Sequence, residues 1–127
     1  MKTILLAESE KHVLDALRLA IEQQAEVKVV GEARSAESLL VQVCQYAPDV
    51  ILLDWGLPGL HPQRLIRTLR GCCPVTTLVA LSVKPEDEKT VAEHSLDGFI
   101  SKQLSGESFI AALQQALATS NRKREDA

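Results

Sequence analysis

The sequence predicts an α/β fold built on a doubly wound, five-stranded parallel sheet, and three observations support this prediction. Short apolar runs alternate with amphipathic segments along the whole chain of 127 residues. The run Val50–Leu53 is apolar at every position and lies between polar and turn-forming residues, which is typical of a strand buried on both faces of a parallel sheet. Hydrophobic residues make up 46% of the chain but aromatic residues only 3%, so the core must consist of aliphatic side chains.

The first third of the chain predicts two strand–helix units. Thr3–Ala7 is an apolar run that ends at an acidic residue, and it is predicted to form strand one. Apolar residues recur at helical spacing through Lys11–Gln24, which predicts the first helix. Val27–Gly31 is short and rich in β-branched residues, and it predicts strand two. Ser35 is a suitable N-cap for a second helix that continues to Tyr46.

The middle of the chain predicts a third strand–helix unit and a fourth strand. Val50–Leu53 is predicted to form strand three. Pro62 suits the first position of a helix because its φ angle is already helical, and an apolar stripe continues this helix to Arg70. Thr76–Ser82 is again apolar along most of its length and predicts strand four.

The last part of the chain completes the alternation. Pro85 followed by three acidic residues is typical of a helix start, since acidic side chains are favoured in the first turn. Gly98–Ser101 predicts strand five, and Ser105 is predicted to open the last helix. Five βα units joined by right-handed crossovers favour the strand order 2-1-3-4-5, which is the flavodoxin-like (βα)5 arrangement.

Composition and charge limit the classes of function. We expect residues 1–118 to form one domain and residues 119–127 to form a charged C-terminal tail or linker stub. The net charge of −3 argues against direct nucleic acid binding by this domain. No apolar run reaches the roughly 18–20 residues of a membrane span, and the run after Met1 is too short for a signal peptide. We therefore expect a cytoplasmic protein that does not contact a membrane.

Polar residues follow four of the predicted strands, and the ends of parallel strands meet at one edge of a sheet. These residues are Glu8, Ser9, Asp54, Ser82 and Lys102. Ligands and chemistry gather at this edge in open α/β sheets. A carboxylate can accept a phosphoryl group, a lysine can pair with phosphoryl oxygens, and a hydroxyl can bind one of them. Together with a divalent cation, these groups indicate phosphoryl transfer to Asp54.

The chain resembles the receiver domain of bacterial two-component response regulators over about Thr3–Leu117. The resemblance implies that Asp54 accepts a phosphoryl group from a sensor histidine kinase. Lys102 matches the lysine of the family, Ser82 matches its switch hydroxyl, and Phe99 matches its aromatic switch residue. The implied role is a signalling module rather than an enzyme, with self-phosphorylation and slow hydrolysis as its only chemistry.

The resemblance also implies a Mg²⁺ site. In the family, two adjacent acidic residues after strand one help to hold the cation, and here the pair is Glu8 and Ser9. Glu8, Asp54 and the backbone carbonyl of Gly56 are the expected ligands. Ser9 stands where the family has a metal-binding acid, and its neutral hydroxyl is a poorer ligand than a carboxylate.

Further segments of the sequence indicate partners. Val30–Ala33 and Asp97–Phe99 most resemble receivers that carry a C-terminal helix-turn-helix output domain. The resemblance implies that phosphorylation changes a surface formed by helix 4, strand 5 and helix 5. A homodimer or an output partner would recognise that surface. The segment between Ser82 and Lys102 is slightly shorter than in the family. We therefore expect the fourth helix, and any interface that uses it, to differ from those of the family.

Two alternatives remain open from the sequence. Ser9 motivates the first, a pseudo-receiver that uses the same fold as a phosphorylation-independent interaction module. The second is a flavodoxin-like cofactor protein or small enzyme. The loop Glu8–Glu10 argues against it, because this loop has no glycine and two acidic residues that would repel a flavin phosphate. Glu8 also has a structural interpretation, since an acidic residue favours the start of the following helix.

Overall fold

The computed structural model describes residues 1–126 and contains a five-stranded parallel sheet in the order β2-β1-β3-β4-β5. The strands are β1 (Lys2–Ala7), β2 (Val27–Ala33), β3 (Val50–Asp54), β4 (Thr77–Ser82) and β5 (Gly98–Ser101). Each strand is followed by a helix, so the chain forms five βα units. This arrangement confirms the predicted fold class and strand order.

The helices are α1 (Lys11–Glu22), α2 (Ala36–Tyr46), α3 (Pro62–Cys72), α4 (Asp87–Ala92) and α5 (Gly106–Asp126). Helix α1 ends two residues before the predicted Gln24, because the chain turns there and Glu26 adopts a left-handed φ of 64°. Ser35 caps α2 as predicted, accepting a hydrogen bond from the backbone N–H of Ser38. Among residues 1–126, no helix is long and apolar enough to cross a membrane.

The sheet separates two aliphatic cores because successive side chains of a strand point to opposite faces. Along β1, Ile4 and Leu6 pack with residues of α1 and α5, whereas Leu5 and Ala7 pack with residues of α2 and α3. Every residue of β3 and β4 is buried. The central strands are therefore rigidly held, and their carboxyl ends form a fixed base for a site.

Asp97 connects the amino-terminal ends of β4 and β5 to two helices. Its Oδ2 accepts hydrogen bonds from the backbone N–H of Leu78 at 2.8 Å, from Arg70 of α3 at 2.9 Å and from Lys123 of α5 at 3.0 Å. Burial raises the pKa of Asp97, but these hydrogen bonds outweigh burial and hold the pKa below its usual value. The ionised carboxylate therefore ties α3, β4 and α5 together.

The charged segment at residues 119–126 is helical and contacts the sheet. It forms the last turns of α5, and Ser120 within it is fully buried. Arg124 forms an ion pair with Asp49 Oδ1 at 3.0 Å, and Lys123 forms one with Asp97. The division at residue 118 between a domain and a tail stays a prediction, and Ala127 lies outside the described residues.

Candidate functional site

The residues predicted to form the site converge at the carboxyl edge of the sheet. Glu8 follows β1, Asp54 ends β3, Ser82 ends β4 and Lys102 follows β5. The strands β1, β3, β4 and β5 are consecutive neighbours in the sheet. Backbone hydrogen bonds fix the loops that follow them, including one of 2.9 Å from Lys102 N–H to the carbonyl of Ser82. The topology thus places four functional groups on one rim.

Lys102 lies between two carboxylates. Its Nζ is 2.9 Å from Asp54 Oδ1 and 2.5 Å from Glu8 Oε1. Glu8 is fully buried and Asp54 is 8% exposed, so both carboxylates lie largely out of water. Burial lowers the pKa of Lys102, but the contacts with Glu8 and Asp54 outweigh burial and raise its pKa above the usual value. Lys102 is therefore a fixed positive charge at the centre of the site.

Only one of the two carboxylate oxygens of Asp54 is hydrogen-bonded to other groups within residues 1–126. Its Oδ1 contacts Lys102 and also accepts a hydrogen bond of 3.2 Å from the backbone N–H of Gly56. Within residues 1–126, Asp54 Oδ2 receives no hydrogen bond, so the lone pairs of this oxygen are not engaged by the protein. The carboxylate is therefore held through Oδ1 alone.

Glu8 contacts both the start of α1 and Lys102, and its role as a metal ligand stays a prediction. Its Oε2 accepts a hydrogen bond of 3.1 Å from the backbone N–H of Glu10, the N-cap of α1, while Oε1 contacts Lys102. Glu10 itself is exposed. The half-buried Ser9 is held through its carbonyl, which accepts hydrogen bonds from Arg34 at 2.8 and 3.0 Å. The loop after β1 is therefore anchored on both sides.

The donor groups at this edge fit Mg²⁺. Glu8 and Asp54 supply two carboxylates, and Mg²⁺ is commonly held by one or two carboxylates together with carbonyl oxygens and water. In the part of the chain that the structure describes, no group of three or more histidine, cysteine, aspartate or glutamate side chains is arranged to hold a metal. A cation here would depend on these two acids and on neutral oxygens such as those of Gly56 and Ser9.

Ser82 is buried, but its hydroxyl is engaged away from Asp54. Ser82 Oγ donates a hydrogen bond to Asp87 Oδ2 at 2.6 Å and accepts one from the backbone N–H of Lys84 at 3.1 Å. Sequence reasoning identified Asp87 only as an acidic residue near the start of a helix. The contact depends on the tight turn between β4 and α4, which the sequence pattern does not specify.

Phe99 lies on β5 and is only half-buried. Its ring lines two depressions, one of about 230 Å³ against α5 and one of about 200 Å³ against α4. The side chain therefore has space on both sides of the edge strand. These two depressions leave room for Phe99 to move as an aromatic switch residue would, and this role of Phe99 stays a prediction.

Trp55, directly after Asp54, stacks on His94 at the end of α4. The ring centroids are 5.8 Å apart and the ring planes differ by 27°. No pattern in the sequence predicts this contact, which joins positions that are far apart in the chain. The stack links the loop that follows Asp54 to the end of α4.

The family model for the response regulator receiver domain matches residues 4–114. The nitrate/nitrite response regulator protein NarL of Escherichia coli K12 is 30% identical over 118 residues, covering 91% of this chain and 55% of NarL. The transcriptional regulatory protein MctR of Rhizobium johnstonii is 28% identical over 113 residues, covering 87% of this chain and 53% of MctR. The chain thus spans about half the length of these curated relatives.

The fold agrees with solved structures. The signal receiver domain of an HD domain-containing protein from Pseudomonas fluorescens Pf-5 superposes with a TM-score of 0.85 at 23% identity, covering 99% of this chain and 93% of that chain. NtrX from Brucella abortus gives a TM-score of 0.86 at 25% identity, covering 98% of this chain and 29% of NtrX. With the family model matching most of its length, this chain belongs to the response regulator receiver domains of two-component signalling systems.

Proposed function

We propose that this receiver domain accepts a phosphoryl group on Asp54 in a Mg²⁺-dependent step and that the modification switches a protein-interaction surface. The observation that supports this most strongly is the position of Lys102, whose Nζ contacts both Glu8 and Asp54 at the carboxyl edge of the sheet. A half-buried lysine between two acids is suited to hold an incoming anion next to the acceptor.

The transfer is a displacement at phosphorus. The free oxygen of Asp54 forms a bond to phosphorus while the bond between phosphorus and the imidazole nitrogen of a phosphohistidine breaks. The electron pair of the broken bond stays with the imidazole nitrogen of the donor. The product on the receiver is an acyl phosphate, and hydrolysis by water returns the carboxylate and inorganic phosphate.

The chain supplies position and charge for this step. Lys102 pairs with phosphoryl oxygens, and the Gly56 N–H fixes Asp54 through Oδ1 so that the second oxygen is presented to the donor. A bound Mg²⁺ supplies positive charge that offsets the repulsion between the carboxylate and the phosphoryl group. Glu8 and Asp54, with the carbonyl of Gly56, are the residues that would hold it, and Ser9 would contribute at most a neutral oxygen.

Partners follow from the same proposal. A sensor histidine kinase is the expected donor of the phosphoryl group. The readout is a population shift in which Ser82 and Phe99 move and the surface of α4, β5 and α5 changes. A second copy of the domain or an output partner would recognise the changed surface. Apart from transfer to itself and hydrolysis, the domain would catalyse no reaction.

An intact-mass measurement after incubation with acetyl phosphate and Mg²⁺ tests the proposal. The wild type should gain the mass of one phosphoryl group, and removal of Mg²⁺ with a chelator should prevent the gain. Asp54→Asn should gain nothing, because the amide has no nucleophilic carboxylate oxygen. Asp15→Asn, which changes an exposed acid on α1, is the matched control and should be modified like the wild type.

Three outcomes would contradict the proposal. The first is an unmodified wild-type protein under conditions that phosphorylate an established receiver. The second is a phosphoryl group that is still gained by Asp54→Asn, since the acceptor would then be another residue. The third is modification that is unaffected by a chelator, which would exclude the Mg²⁺-dependent step.

A further inference from the structure

The hydroxyl of Ser82 already has an acceptor, and this acceptor lies on α4. Ser82 Oγ donates to Asp87 Oδ2 at 2.6 Å while the backbone N–H of Lys84 donates to Oγ at 3.1 Å. A serine hydroxyl carries one proton, so it donates to only one acceptor at a time. A hydrogen bond of this length to a carboxylate is charge-assisted and stronger than a neutral one. Asp87 therefore binds the proton that a phosphoryl oxygen on Asp54 would need.

Asp87 is also the first residue of α4, so this hydrogen bond joins the site directly to that helix. Helix α4 has six residues, and only Val91 among them is buried. Its N-cap residue, Glu86, makes no capping hydrogen bond with its side chain. A short helix with so little burial is positioned by few contacts, and the hydrogen bond from Ser82 to Asp87 is one of them.

We propose that Asp87 is a positioning residue that competes with the phosphoryl group for Ser82 and transmits the switch to α4, an inference that rests on the proposed phosphorylation of Asp54. In the unmodified protein, Asp87 keeps the Ser82 hydroxyl turned toward α4. When a phosphoryl oxygen takes this hydrogen bond, the carboxylate of Asp87 loses its donor and the first turn of α4 is released. The two states differ in one defined contact, as a population shift requires.

Trp55 provides the readout. It is the only tryptophan of the chain, and it stacks on His94 directly after the last turns of α4. A displacement of α4 alters this stack, so the fluorescence of Trp55 reports the position of the helix. The first experiment records the spectra of the unmodified wild type, Asp87→Ala, Ser82→Ala and the double variant. Glu88→Ala removes the same charge from the next position of α4 and is the matched control.

The two single variants should shift the emission of Trp55 in the same direction and by a similar amount. The double variant should shift it no further, because both residues act through one hydrogen bond. Glu88→Ala should give the wild-type spectrum. A wild-type spectrum in Asp87→Ala, or additive shifts in the double variant, would overturn the proposal. Should Asp87→Ala fail to fold by circular dichroism, Asp87→Leu, which is similar in size and cannot accept a hydrogen bond, replaces it. The same shift is expected, and a wild-type spectrum would overturn the proposal.

A titration with beryllofluoride, a mimic of the phosphoryl group, in the presence of Mg²⁺ gives the second measurement. Asp87→Ala should bind it about tenfold more tightly than the wild type, because no hydrogen bond to a charged group has to be broken first. Equal affinities of the two proteins would overturn the proposal. If the wild type binds no beryllofluoride and takes up no phosphoryl group, the proposed function fails. The spectra of the unmodified variants then still decide whether Asp87 positions Ser82 and α4.

Discussion

Replacing Lys102 with methionine removes the ammonium group from between two carboxylates and keeps the apolar part of the side chain. Glu8 is fully buried and its Oε1 lies 2.5 Å from Nζ, while Asp54 Oδ1 lies 2.9 Å from it. Removing one partner of a buried ion pair typically costs about 3–5 kcal/mol. The side chains of Lys102 and Asp54 are 14% and 11% exposed, so water can reach the edge of the site. We therefore expect Lys102→Met to lower the free energy of unfolding by about 2–3 kcal/mol.

Urea unfolding followed by circular dichroism, with and without Mg²⁺, tests this expectation. A cation bound by Glu8 and Asp54 replaces the lost charge, so Mg²⁺ should stabilise Lys102→Met more than the wild type. By linkage, bound Mg²⁺ raises the free energy of unfolding by about 2.7 kcal/mol when the free Mg²⁺ concentration is a hundred times the dissociation constant. Lys11→Met removes an exposed lysine paired with Asp15 and should cost at most about 1 kcal/mol. Unchanged stability of Lys102→Met, or equal stabilisation of both proteins by Mg²⁺, would refute the reasoning.

Asp97→Ala leaves the backbone N–H of Leu78 without its acceptor and separates two cations from their carboxylate, so urea unfolding should show a loss of about 2–3 kcal/mol. Because the pKa of Asp97 is lowered by folding, its contribution is present above the unfolded pKa of about 3.9 and is lost as the pH falls through the folded pKa. Asp97→Asn should therefore flatten the acid limb of a curve of stability against pH, and an unchanged limb would contradict this. Ser9→Asp adds a carboxylate at the proposed Mg²⁺ site and should tighten Mg²⁺ binding about tenfold, as measured by titration of Trp55 fluorescence. An unchanged dissociation constant would show that this position does not face the cation.

The fold could be predicted from the sequence because its strands are encoded locally. Val50–Leu53 is apolar at every position and lies between turn-forming residues, which is typical of a strand covered on both faces. The alternation of strands and helices then limits the topology through the handedness of the crossovers. The placement of Glu8, Asp54 and Lys102 on one rim follows from the strand order alone, and the contacts of Lys102 with both acids agree with it.

The contacts of α4 could not be predicted, because they depend on the geometry of loops. The hydrogen bond from Ser82 to Asp87 spans five positions across a tight turn, and the stack of Trp55 on His94 joins residues from different βα units. Neither contact leaves a periodic signal in the sequence. The charges of Lys123 and Arg124 were likewise assigned to a tail, since the sequence does not show that carboxylates at the opposite edge of the sheet lie within reach of them.

The charges at the proposed site explain why Ser9 and Lys102 should be considered together. Glu8 and Asp54 carry two negative charges and Lys102 carries one positive charge, so these three groups sum to about −1. An acid at position 9 would add another negative charge, which favours a cation but repels a phosphoryl donor. With serine at this position, less repulsion opposes the donor, but less charge attracts Mg²⁺. Lys102 then supplies a larger share of the charge that stabilises the transfer, which is why its variant is the most informative one to make.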